Sequence, residues 1–142
     1  MKILSGFLLL LLMGCTQNVT LTKIDPYPLF HDNSTKIWVV NKVMDGNVNY
    51  TPAQFENRDV MLFFQEGFGV YVQPMKSLGK APKLIGTFDV KADTKHLKLN
   101  FKKEIWDFYM ARTSKSKIVL RPTQKSDFPY SIELVPYPNK FF

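Results

Sequence analysis

The chain has 142 residues, enough for one domain and short of two ordinary ones. With 45% hydrophobic and 22% charged residues it has the balance of a globular chain, not a disordered one. One cysteine and two histidines exclude an internal disulfide framework and a multi-cysteine metal centre, and the formal charge is +7.

Met1-Lys2 is a short positive start, and Ile3 to Met13 is an apolar run broken only by Ser5 and Gly6. That run is too short to anchor stably across a hydrocarbon core of ~30 Å, which takes about 20 residues, but it has the size of the apolar part of a secretory signal. It ends Leu12-Met13-Gly14-Cys15, where the only cysteine stands. This ending resembles the bacterial lipobox. The resemblance implies diacylglyceryl attachment to the Cys15 thiol, cleavage after Gly14, and acylation of the new amino group by a palmitate-like chain. It therefore implies a lipoprotein of the bacterial cell envelope, held on a membrane by its lipid. Thr16, in place of Asp, points to the outer membrane by the sorting pattern of some Gram-negative bacteria. A single acyl chain anchors marginally, at about 0.8 kcal/mol per methylene, whereas three would anchor almost permanently.

Residues 1–14 are thus expected to be a signal peptide and residues 15–35 a lipid-anchored tether. Residues 36–142 then form the folded domain. The tether is rich in Thr, Asn, Asp and Pro, with Pro26 and Pro28 flanking Tyr27. About twenty such residues reach roughly 25 Å as a flexible coil. Tyr27, Leu29 and Phe30 are the side chains by which its end would dock. His31 falls here too and is expected to be solvated.

Beyond residue 35 the hydrophobic pattern has period two. Lys36–Met44 reads as a strand, Asp45-Gly46 as a hairpin turn, and Gly46–Thr51 as a short second strand stopped by Pro52. Ala53–Asn57 has room for one helical turn. Asp59–Gln65 and Phe68–Gln73 read as strands around a Glu66-Gly67 turn, and Met75–Pro82 as a loop. In Lys83–Lys91, Leu84, Gly86, Phe88 and Val90 share one face, with Ile85 the apolar exception on the other. Lys95–Lys102 alternates most cleanly: Leu97, Leu99 and Phe101 point one way, His96, Lys98 and Asn100 the other. Glu104–Arg112 sets Trp106, Phe108 and Met110 against Ile105, Asp107 and Tyr109. Ser116–Arg121 and Tyr130–Val135 are the last strands, before Pro136 and Pro138.

Eight or nine short strands joined mostly by tight turns make an all-β antiparallel meander. Closure into an up-and-down barrel best removes its open edges, and a β-sandwich is the alternative. The chain resembles the small lipocalin-like lipoproteins of bacteria over about residues 36–136. The resemblance lies in Ile37-Trp38-Val39-Val40 in the first strand, the Asp45-Gly46 turn, Gly86-Thr87-Phe88, and the closing Ile132-Glu133-Leu134-Val135-Pro136. Lys36 stands where lipocalins carry Gly. The resemblance implies a structural role for Trp38 and for Arg121, the match to the lipocalin arginine that covers that ring. It also implies a barrel just wide enough to be filled or to hold one small ligand.

If a cavity exists, Trp38, Phe63, Phe88, Leu99, Phe101, Phe108 and Leu120 are the expected lining of an apolar ligand site. The same side chains would otherwise be core, since a small barrel needs bulk to fill it. No nucleophile arrangement, metal-ligand spacing or Gly-rich phosphate loop is present in the sequence, so the protein is expected to be non-catalytic and to need no cofactor. The alternative to ligand binding is an accessory subunit of an envelope or secretion assembly, or an inhibitor of a secreted enzyme. Phe141-Phe142 and the loop 73–82 are its candidate contacts. Thr16–Met75 holds 4 basic and 6 acidic residues, Lys76–Phe142 14 and 6, so a basic face is expected on the second half. Its bland reading is lysines that solubilise strands. Its sharper reading is a surface for phosphate-bearing lipid, anionic glycan or an acidic protein. Nucleic acid is not an expected partner of an exported chain.

Overall fold

The structure, a computed structural model, describes residues 25–55, 58–72 and 83–138. The lipobox, Asn57, the loop 75–82 and Phe141-Phe142 lie outside the described residues. Helix α1 (Tyr27–His31) is followed by β1 (Thr35–Asp45), β2 (Val48–Asn49), β3 (Val60–Phe64), β4 (Gly69–Val72), β5 (Leu84–Lys91), β6 (His96–Phe101), β7 (Ile105–Thr113), β8 (Ile118–Pro122) and β9 (Ser131–Pro136).

All pairings are antiparallel. The sheet runs β2-β1-β3-β4-β5-β6-β7-β8-β9, and β1 also pairs with β9. That pairing closes eight strands into an up-and-down, lipocalin-like barrel, with β2 an extra strand folded back on the end of β1. The barrel, and not the sandwich, is the fold. Closure joins the β1 and β9 edges, which would otherwise present unpaired backbone.

The alternation read from the sequence becomes the inside and outside of the barrel. In β6, Leu97 and Leu99 are fully buried while Lys98 is exposed; in β7, Trp106, Phe108 and Met110 are buried while Ile105 and Tyr109 are exposed. Ile85 faces out at 71% exposure. Strict alternation fails in β1, where a bulge between Val40 and Lys42 shifts the register against β9. Trp38 and Val40 point in before it and Val43 after it, a change of parity that one unpaired residue produces.

The seam is tied on the outside. Asn41 Nδ2 donates to Glu133 Oε1 at 3.0 Å, and Lys42 and Lys117 approach the same carboxylate at 4.0 and 3.8 Å. Gly46 turns the β1–β2 hairpin at φ +57°, a conformation side chains resist. Gly86 is needed for another reason. A Cβ there would sit 2.0 Å from the Asn100 carbonyl oxygen of the paired strand β6.

The segment expected to be tether to residue 35 departs from that reading at its end. Tyr27–His31 is a helical turn and β1 begins at Thr35. Pro28 is tolerated because it falls in the first turn, where its missing N–H would have no helical partner. Asp32 and Asn33 then take positive φ (53° and 58°) and swing the chain into β1.

Candidate binding surfaces

The barrel interior is a packed core. Trp38, Phe63, Phe88, Leu99, Phe101, Phe108 and Leu120 all point inward and are at most 8% exposed. They belong to one continuous cluster with Val70, Val72, Leu97, Trp106, Ile118 and Leu134. Phe63 and Phe88 meet edge-on with centroids 5.0 Å apart.

Helix α1 seals one end. Phe30 has no exposed surface and packs on Phe63 at 5.2 Å, and its carbonyl accepts a 3.0 Å hydrogen bond from Trp38 Nε1. The Tyr27 ring lies between Phe68 and Phe88, at 4.7 and 5.6 Å, and its hydroxyl accepts from the Val90 amide at 3.3 Å. His31, expected in solvent, is buried here. Its Nδ1 accepts from the Asn33 amide at 2.9 Å, a bond that holds the turn after the helix.

The cation over Trp38 is Lys36, not Arg121. Lys36 Nζ stands 4.1 Å from the ring centroid and donates to the Lys115 carbonyl at 3.4 Å. Parity explains the correction. Leu120 points into the core, so Arg121 next to it points out, where it lies exposed opposite Tyr109. Lys36 has the same parity as Trp38 and reaches over it from the strand start. Partial burial pushes the Lys36 ammonium below its ordinary pKa of 10.5; the Asp32 carboxylate opposes that shift and the Lys115 charge adds to it.

Toward the other end, Trp106 stacks on Phe128 at 4.2 Å and meets Phe101 at 5.2 Å. Its Nε1 is buried without a hydrogen-bond partner. Such a donor costs on the order of 1–3 kcal/mol.

Among the described residues, two grooves outside the core bear on binding. The first, about 220 Å³, runs between α1 and the barrel rim. Pro26, Leu29, Phe30, Ala92, Met110 and Ala111 make it apolar, and Lys95, Arg112 and Thr113 edge it. Ala92 and Ala111 leave the space, and a bulge between Met110 and Arg112 turns the rim at that point. The second, about 510 Å³, crosses the outer face of β5–β7 and is lined by Asp89, Lys91, Thr94, His96, Lys98, Ile105, Asp107 and Lys125. Asp107 accepts from Thr123 Oγ1 at 2.8 Å and Asp89 from Asn100 Nδ2 at 3.4 Å. Alternation on β5 and β6 foretold most of this face. The α1 groove was not foreseen, although Leu29-Phe30 in a polar stretch hinted at docking.

Among the described residues no cluster of three or more His, Cys, Asp or Glu could hold a metal ion, and no helix is long and apolar enough to cross a membrane. Neither protein-family models nor curated protein sequences give a match to the chain.

Proposed function

We propose that this chain is a lipid-anchored, non-catalytic binding protein of the bacterial envelope, anchored through Cys15 and taking a small apolar ligand. The observation that carries the ligand reading is the apolar groove beside α1, open at the barrel rim while the interior is packed. The seven inward side chains are core and do not line this groove. Lys95 and Arg112 at its edge suit a ligand with one polar end.

A second reading, an accessory subunit docked on an envelope protein, is favoured by the apolar side chains that face out. Ile85 is 71% exposed and Phe68 46%. Scattered exposed apolar residues are ordinary on small proteins, so this reading ranks lower.

The test is crosslinked recovery of the lipidated chain from its own membranes, with proteins and extracted small molecules both analysed. One apolar molecule per chain, lost in Ala111→Leu, is expected. A stoichiometric protein partner with no small molecule would replace the first reading by the second.

A further inference from the structure

The outer face of β5–β8 carries a feature that neither the core nor the α1 groove uses. The register places Lys91 opposite His96, His96 opposite Tyr109, and Tyr109 opposite Arg121. Four side chains therefore stand in one row across four strands. At about 4.8 Å between strands, the row spans roughly 14 Å. Lys91 and Arg121 are exposed at its two ends. Tyr109, in the middle, is 41% exposed, and the His96 ring meets it edge-on at 6.4 Å. The row borders the 510 Å³ groove, to which Lys98 and Asp107 contribute.

We infer that this row is a binding site for an acidic oligosaccharide. Its parts match the chemistry of such a ligand. A tyrosine face held open on a rigid strand offers an apolar platform for the C–H face of a sugar ring. A guanidinium and an ammonium about three strand spacings apart can each meet a carboxylate, the guanidinium in a bidentate fashion. Carboxylates set among the cations accept from hydroxyls. An acidic peptide offers the cations the same charges but has no sugar hydroxyls for the carboxylates and no ring C–H face for the tyrosine. A sugar chain with one acid group per residue or two meets the cations and the acceptors together.

The experiment uses the full chain in detergent and calorimetric titration with a tetragalacturonate. A neutral cello-oligosaccharide and a poly-glutamate peptide serve as comparison ligands. The expected result is saturable binding of the acidic sugar, at least tenfold weaker in Tyr109→Ala and in the double variant Lys91→Gln, Arg121→Gln, with no measurable binding of the neutral sugar. All three positions are exposed, and unchanged melting temperatures establish that the variants are folded. Absence of acidic-sugar binding would overturn the proposal, as would binding that Tyr109→Ala leaves intact. Equal or tighter binding of poly-glutamate would overturn it in favour of an acidic protein surface.

Discussion

Trp38 concentrates three roles in one side chain. Its ring fills the barrel, its N–H fastens α1 through the Phe30 carbonyl, and its face receives the Lys36 ammonium. Trp38→Ala should therefore cost about 3–5 kcal/mol of stability. Urea unfolding measures it, and a midpoint close to wild type would show the ring to be dispensable. Lys36 makes a prediction in pH. Its folded pKa lies below the unfolded 10.5, so the unfolded chain holds this proton more tightly than the folded one does. Stability from this group therefore rises as pH climbs through the folded pKa toward 10.5, and below that window the cost of the buried charge is carried in full. Stability of the wild type relative to Lys36→Met should increase as pH rises toward 10.5 from below; a difference that stays flat with pH would contradict the assignment. Arg121 shows a limit of reasoning from resemblance at this scale. Its parity beside Leu120 was readable from the sequence and outweighs the family position.

At the scale of elements, the β5–β6 pair is the tightest test of register. Gly86→Ala forces a methyl onto the Asn100 carbonyl, and overpacking of that kind costs about 1–3 kcal/mol. A melting temperature equal to wild type would mean that the two strands sit farther apart than described. Strands such as β6 and β7 were legible because one face meets water and the other does not, which imposes period two on the residues themselves. The bulge in β1 was not legible, because an extra residue between Val40 and Lys42 looks locally like any other strand residue. Helix α1 was half legible. Tyr27, Leu29 and Phe30 announced docking, but five residues with Pro28 among them carry no helical period. The α1 groove was hidden for a related reason, since it depends on Ala92 and Ala111 meeting a helix from distant sequence.

For the whole molecule, the β1–β9 pairing makes a closed barrel, α1 seals one end of it, and the residues first considered as a ligand lining become its packed interior. Both proposed sites then lie on the outside, at the α1 groove and across β5–β8. The proposed anchor predicts that Cys15→Ser leaves the signal uncleaved by the lipoprotein peptidase and alters membrane association. Wild-type processing and fractionation of that variant would refute the lipoprotein reading. Trp38 reports directly on whether the interior is closed. With only two tryptophans, the chain gives two indole N–H signals in an NMR spectrum. Hydrogen exchange of the Trp38 indole measures how often α1 lifts from the barrel. Exchange as slow as that of the most protected strand amides is expected, because the N–H is buried and bonded to the Phe30 carbonyl. Rapid exchange at Trp38 while the strand amides stay protected would show an open, accessible interior and contradict this expectation.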